Sequence, residues 1–170
     1  PYPDQHISIR AGCNMGDGMN MGLEAGGVVD GENVANGVWS VVSTMKKEDG
    51  STAIYAHLID MAKPGCIAVN RDGARFGNEA SNVFVEYMHK ADAVPAWLVA
   101  DANFIKKYGL GLCLPGAMGL KKLVKAGYLV EAATIAELAS KIDVNAAGLR
   151  TTVARMNDYA KTGVDPDFQK

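Results

Sequence analysis

The stretch GCIAVNRDGARFGNEASNV, residues 65–83, decides the fold. Its opening, Cys66-Ile67-Ala68-Val69, is a short apolar run that reads as a buried strand. Asp72-Gly73 is a turn signal, because glycine reaches positive φ without a steric penalty. The chain then returns through Ala74-Arg75-Phe76 and meets a polar elbow, Gly77-Asn78-Glu79. From about Ser81 the spacing of Val83, Tyr87 and Ala91, with Phe84 and Met88, predicts a helix with one apolar stripe. A carboxamide and a carboxylate therefore sit where strand gives way to helix, a position that suits binding residues on a rigid scaffold.

Downstream, Trp97–Asp101 reads as a strand and Asn103–Tyr108 as a short helix ended by Gly109. Lys121–Lys125 is a second short helix closed by Gly127, and Tyr128-Leu129-Val130 is extended. Thr134 and Glu137 have capping-box spacing, which starts a helix running to about Lys141. Asn145 caps a longer helix whose buried stripe is Leu149, Val153, Met156 and Ala160, and Gly163 ends it.

Upstream, His6–Arg10 alternates like a strand. Asp17 is placed to cap a helix that Gly26-Gly27 terminates. Trp39–Val42 suggests a short strand, and Lys46–Ser51 is a polar turn. Thr52–Met61 fits strand or helix equally and carries Tyr55, His57 and Asp60. Together these elements predict an α+β fold, a small sheet or hairpins covered by helices.

At 170 residues the chain can build one core and a small satellite. Its 48% hydrophobic and 21% charged content is that of an ordinary globular domain. A net charge of -2 gives no electrostatic case for nucleic acid or an anionic membrane. No apolar run approaches the ~20 residues that span a bilayer. Cys13, Cys66 and Cys113 are scattered and lack C-x-x-C spacing, as are His6, His57 and His89, so neither a disulfide framework nor a metal site is expected. Pro1-Tyr2-Pro3-Asp4 reads as linker and Asp165-Pro166-Asp167-Phe168 as a turn leading onward, which suggests a piece of a longer protein.

The glycines near the start invite a dinucleotide-fold reading. Gly16-x-Gly18 followed by Gly22 places the third glycine one residue late for G-x-G-x-x-G. Val28-Val29-Asp30 then follows too closely for a complete strand, helix and strand unit with its acid.

VNRDGARFGNE resembles the VN-x-x-G-x-RF-x-NE signature of the FAD-dependent fumarate reductase, succinate dehydrogenase flavoprotein and 3-ketosteroid dehydrogenase superfamily. Val69, Asn70, Gly73, Arg75, Phe76, Asn78 and Glu79 fall in register. Gly16-Asp17-Gly18, Met21 and Ala25-Gly26-Gly27 are similar to that family's TGDG-x-x-M-x-x-x-AGA helix, with Met15 in place of its Thr. Near the other end, Thr134, Glu137-Leu138-Ala139, Lys141, Leu149, Thr152-Val153, Arg155, Asn157, Tyr159, Gly163, Asp165 and Phe168 match its recurring residues.

The resemblance implies that residues 1–30 are the tail of an FAD domain and 31–170 a capping domain that closes over flavin and substrate. It implies FAD as cofactor of the full-length protein, weakly held or absent in this piece, with Asp17 touching the nucleotide. The implied partners are a small-molecule substrate and the remaining flavin domain. The implied chemistry is hydride transfer at flavin N5, with a protein group moving the accompanying proton.

The family places an Arg or Tyr for that proton four residues after the Glu of RF-x-NE, where this chain has Val83. The Glu and Arg of the fumarate-type relay fall at Ile59 and Ala62, and the substrate-binding His falls near Val38 and Trp39. Candidate catalytic residues are therefore Tyr87, one turn beyond Val83, together with His57 and Glu79. Asp60 lies beside the missing relay. Val83 and Asn78 are expected to line the substrate cavity. The alternative is a binding module that keeps the cap fold without redox chemistry.

Overall fold

The computed structural model describes residues 7–9, 12–32 and 39–170. The linker expected at Pro1–Asp4, both ends of the strand expected at His6–Arg10, and Val38 lie outside the described residues. Ile7–Ile9 themselves are not in a strand. The chain divides into two units, residues 1–38 and 39–170.

In the first unit, helix α1 spans Asp17–Glu24, and none of its residues is buried. The helix cap is Gly16, at φ 88°, with no side-chain capping bond. Asp17, expected at the cap, is instead the first helical residue, because a left-handed turn at Gly16 lets the helix begin one residue earlier than a cap at Asp17 would place it. The helix closes as expected at the double glycine. Gly27 N–H bonds Gly22 carbonyl at 2.8 Å while Gly26 takes φ 87°.

The second unit is built on two antiparallel pairs. Strands β1 (Val42–Lys46) and β2 (Thr52–Ala56) form a hairpin around the polar turn, with Ser43 opposite Tyr55. β1 starts where the expected Trp39–Val42 strand ends. Strand β3 (Cys66–Val69) pairs with β4 (Trp97–Ala100), Cys66 opposite Ala100 and Val69 opposite Trp97. The segment Ala74–Phe76, expected to return alongside β3, makes no ladder with it. Asn70 closes the turn instead: its N–H reaches Ala74 carbonyl, and its side-chain oxygen accepts from Asp72 and Ala74, each at 3.0 Å.

Helix α2 (Phe84–Lys90) begins three residues later than its periodicity suggests. Asn78 and Ser81 hold the intervening chain in local turns, accepting from Ala80 N–H at 2.8 Å and Val83 N–H at 3.3 Å. Helix α3 (Ala102–Tyr108) is capped by Asp101, which accepts from Phe104 N–H at 2.7 Å. After α4 (Leu120–Lys125), α5 (Ile135–Lys141) starts at Thr134, whose hydroxyl accepts from Glu137 N–H at 3.1 Å. Glu137 reaches back to Ala133 N–H at 3.0 Å, one residue before the box position. Helix α6 (Ala146–Thr162) is capped by Asn145, which accepts from Gly148 N–H at 2.8 Å.

Both faces of the β3–β4 pair are covered, which explains the unbroken apolar run at 66–69. Ile67, Val69 and Val99 pack on Ala139 of α5, Val144 of the link that follows it and Leu149 of α6, with Val153 and Met156 beside them. Ala160, the last residue of the expected stripe, is exposed. The opposite face carries Ala68 against Met61 and Phe84, and Cys66 against Phe104 and Leu110. The turn at Gly73 lies directly on the start of α6. A Cβ at Gly148 would come within 1.8 Å of Asp72 carbonyl oxygen, and one at Gly73, whose φ is 74°, within 2.3 Å of Leu149 N. No helix among the described residues is long and apolar enough to cross a membrane.

Candidate functional site

Residues directly opposite in an antiparallel pair share a face, and so do residues two apart along a strand. Ser43, Tyr55 and His57 therefore present their side chains on one side of the β1–β2 hairpin. His57 N–H extends the ladder one step by bonding Val41 carbonyl at 2.8 Å. The 3₁₀ turn Asp60–Ala62 then brings Asp60 back beneath the imidazole.

His57 Nδ1 lies 2.8 Å from Asp60 Oδ2, and His57 Nε2 lies 2.8 Å from Ser43 Oγ. Ser43 Oγ in turn lies 2.6 Å from Tyr128 Oη. Two backbone donors fix the ends: Gly111 N–H bonds Asp60 Oδ2 at 2.9 Å, and Leu112 N–H bonds Tyr128 Oη at 3.1 Å. Met61 N–H supplies Asp60 Oδ1 at 2.9 Å. His57 and Asp60 are buried, and Ser43, Tyr55 and Tyr128 are half-buried.

Burial pushes the Asp60 carboxyl up, but the bonds from His57, Gly111 and Met61 outweigh it and hold the group below its ordinary range. An ionised Asp60 only accepts, so His57 carries a proton on Nδ1. The neighbouring Tyr55 phenol is pushed up by burial and by the charges of Asp60 and Tyr128, and its ring meets His57 edge-on at 5.1 Å.

A second polar cluster lies under the 65–83 stretch. Arg75 Nε and Nη2 donate to Glu79 Oε1 and Oε2 at 2.9 and 2.8 Å, and Nη2 also donates to Asp165 Oδ2 at 2.9 Å. Glu79 Oε1 accepts from Ala68 N–H on β3 at 3.0 Å, and Lys170 Nζ stands 3.6 Å from Oε2. Lys170 also donates to the carbonyls of Met61 and Cys66. The Phe168 ring covers the guanidinium at 5.0 Å. Every charge is paired, and the two carboxylates together raise the Arg75 pKa in spite of its burial. The cluster ties strand, elbow and C-terminal segment into one piece.

The sequence-derived candidates are distributed between these clusters. His57 belongs to the hairpin chain. Glu79 is buried in the Arg75 cluster, and Asn78 turns its amide to the carbonyls of Phe168 and Gln169, both at 3.1 Å. Tyr87 packs its ring over Gly77, where a Cβ would approach it to 2.5 Å, and meets Phe84 edge-on at 6.2 Å. Val83, just before α2, is 44% exposed, as are Leu58 and Ile59 to a greater degree between His57 and Asp60. Asp17 lies in the first unit with an exposed side chain.

Ser43, Gly111 and Tyr128 were not singled out in the sequence. Ser43 becomes visible once the Lys46–Ser51 turn is allowed to set the hairpin register. Tyr128 and Gly111 carry no local signal, because loops far apart in sequence deliver them. No cluster of metal-ligating side chains occurs among the described residues.

The whole chain, residues 1–170, matches the family described as FAD binding domain. It is 38% identical over 171 residues to the 4-oxocyclohex-2-ene-1-carboxylate 5-dehydrogenase of Sinomonas cyclohexanicum, covering 97% of this chain and 29% of that protein. It is 30% identical over 177 residues to a 3-oxosteroid 1-dehydrogenase of Mycobacterium tuberculosis, covering 96% of this chain and 30% of the relative. Among solved structures it resembles the 3-ketosteroid delta1-dehydrogenase of Sterolibacterium denitrificans in complex with 1,4-androstadiene-3,17-dione, with a TM-score of 0.66 and 30% identity over 93% of this chain and 29% of that one. The chain thus spans less than a third of the length of these proteins.

Proposed function

The chain belongs to the FAD binding domain family, and from that premise we propose that it forms the substrate-side cap of an FAD-dependent dehydrogenase that desaturates a small ring ketone. Residues 31–170 form the cap in this reading, and residues 1–30 belong to the flavin-binding part. The observation that supports it is the match, over nearly all of this chain and under a third of theirs, to dehydrogenases whose names specify cyclic oxo compounds. Bound FAD would supply the redox chemistry of such a dehydrogenation, the hydride acceptor.

The residues present fit an edge contact to that group. Asp17 offers an exposed carboxylate in the first turn of α1, between Gly16 and Gly18, around which no other atoms of the chain lie close. In this reading the pyrophosphate-binding strand, turn and helix are supplied by another part of the full-length protein.

The cap's own residues orient and enclose. The Arg75–Glu79–Asp165 cluster holds the elbow rigid, and Asn78 frames it so that Val83 projects from a fixed point. Val83, Leu58 and Ile59 offer apolar surface to a ring substrate and exclude water from it. Proton handling passes to the His57–Asp60 pair, since Val83 has no transferable proton. Glu79 and Tyr87 act as supports in this account.

Anaerobic mixing of the full-length flavoprotein with 4-oxocyclohexanecarboxylate tests the reading. Loss of the oxidised-flavin absorbance is expected. A protein that holds FAD yet stays oxidised with ring ketones, and is instead reoxidised from its reduced form by fumarate, would refute it. One that does neither would be a binding module.

A further inference from the structure

Strand β4 has one unpaired edge. On its partner β3, Ala68 N–H bonds Glu79 Oε1 at 3.0 Å and the Cys66 carbonyl accepts from Lys170 Nζ, so these groups point away from β4. In an antiparallel ladder, residues whose groups point away form the pairs that exchange no hydrogen bonds. Those pairs are Ala68 with Leu98 and Cys66 with Ala100. The N–H and carbonyl groups of Leu98 and Ala100 therefore point away from β3 as well, out of the opposite edge. Glu79 and Lys170 serve the outer edge of β3. The outer edge of β4 has no such partner: among the described residues, no hydrogen bond reaches the backbone of Leu98 or Ala100.

This edge borders a groove of about 1380 Å³. Two unbroken runs line it, residues 97–102 and residues 128–135. Residues 129–133 lie outside any helix or strand. The groove reaches both layers that cover the sheet. Leu138 and Met156 line it from the α5–α6 side, and Ile105 and Leu129 from the side of Phe104 and Leu110. Leu98 and Ala100 are only half-buried, while Val99 between them is buried. A row of unpaired backbone groups among apolar side chains is costly, and it is a template for pairing. A small ring ketone has one carbonyl and would answer one of these four groups. A β-strand answers all four, because its own alternate N–H and carbonyl groups fall opposite them.

We propose that the groove takes one further β-strand, supplied by the part of the full-length protein outside residues 1–170, which pairs along β4 and extends the sheet. The chemistry of that strand follows from the two layers. Covered on both faces, it is a continuous apolar run of about four residues or more, not an alternating one. The four residues of β4 offer about 13 Å of edge, at ~3.3 Å per residue. Its source follows from length. The chain spans under a third of the dehydrogenases it matches, which leaves more than two thirds of such a protein to supply the strand. A segment apolar on both faces belongs to a permanent contact, packed like a domain core, rather than to a partner that comes and goes. The pairing stands on backbone geometry and does not depend on the dehydrogenase reading.

Amide exchange of the full-length protein, read residue by residue, tests the pairing. Trp97 and Val99 N–H face β3, whereas Leu98 and Ala100 N–H face the groove. With the strand in place, Leu98 and Ala100 should exchange within about tenfold of Val99. Faster exchange than that at both residues shows an open edge and overturns the proposal. Photo-crosslinking identifies the occupant. Val130→benzoylphenylalanine puts the probe at an exposed position on the groove. Thermal melting reports whether the variant folds, and Lys106, also exposed on the groove, offers a second position. Mixing unlabelled and nitrogen-15 protein separates links within a chain from links between chains. The expected link lies within one chain and joins a peptide outside residues 1–170 that holds a continuous apolar run. A link between differently labelled chains gives the groove to a second copy and overturns the proposal. Links confined to residues 1–170 overturn it too. Neither readout involves flavin reduction, so a protein inert toward ring ketones would sink the dehydrogenase reading and leave the strand to be decided by these two measurements.

Discussion

Arg75 and Glu79 meet through two parallel hydrogen bonds of 2.9 and 2.8 Å, with both side chains at most 4% exposed. The pair lies four residues apart across the elbow, outside any helix, so the backbone turn exists to let this bond form. Breaking such a pair strands a buried charge. Glu79→Ala or Arg75→Ala should cost about 3–5 kcal/mol, read as a lower midpoint in urea unfolding of the protein. Arg75→Lys should recover little, because an ammonium cannot serve two carboxylates in a fork. A midpoint shift below about 1 kcal/mol would remove the cluster from its proposed structural role.

The same cluster sets an acid limit. Burial pushes the Asp165 carboxyl up, yet the bonds from Arg75, Lys170 N–H and Phe168 N–H more than compensate and lower its pKa in the folded protein. Asp60 is lowered in the same way by His57, Gly111 and Met61. A folded-state pKa below the unfolded one gives stability that is full above the unfolded value and is lost as pH falls through the folded one. Stability should therefore decline below about pH 4, the ordinary carboxylate range. In Asp165→Asn that loss should be smaller, on a lower starting stability. Identical acid slopes for wild type and Asp165→Asn would contradict the assignment.

Gly148 and Gly73 mark where the signature turn touches α6. A Cβ at Gly148 would lie 1.8 Å from Asp72 carbonyl oxygen, and backbone there has no flexible end to yield. Gly148→Ala should destabilise by about 2 kcal/mol or more, although alanine is the better helix former. Gly73→Val adds a β-branched residue at φ 74° to a similar clash and should cost more. Unchanged melting temperatures would show that this contact is loose.

Tyr87 packs against Gly77 and Phe84, and no hydrogen bond of its hydroxyl appears among the described contacts. Tyr87→Phe should leave turnover of the full-length enzyme within about threefold. A loss of about 10²-fold in a folded variant would return the proton-transfer role to this helix.

Much of this was legible in the sequence. The run Cys66–Val69, the turn at Gly73 and the helices capped by Thr134 and Asn145 all follow from local chemistry that the fold leaves intact, whereas Asp101, expected as the last strand residue, leaves the strand to cap α3. The partner of β3 was not legible, because Ala74–Phe76 is adjacent in sequence while β4 competes from a distance and satisfies the ladder better. The start of α2 was misjudged because periodicity ignores the Asn78 and Ser81 side chains that hold three residues in turns. Of the candidate site, His57 and Asp60 stood out because they lie beside the relay positions that the family resemblance marks. Tyr128 arrives 71 positions after His57 through Gly111 and Ser43, and long-range packing of that kind leaves no local trace.

The central claim is that this chain closes over a ring ketone from the side opposite the flavin. Hydrogen–deuterium exchange of the full-length flavoprotein, with and without a tightly bound ring-ketone product, tests it most directly. The account predicts slower exchange in peptides holding Leu58, Ile59 and Val83 and in the Gly111–Leu112 segment. Exchange unchanged in all of these peptides, under conditions where the ketone demonstrably occupies the enzyme, would contradict it.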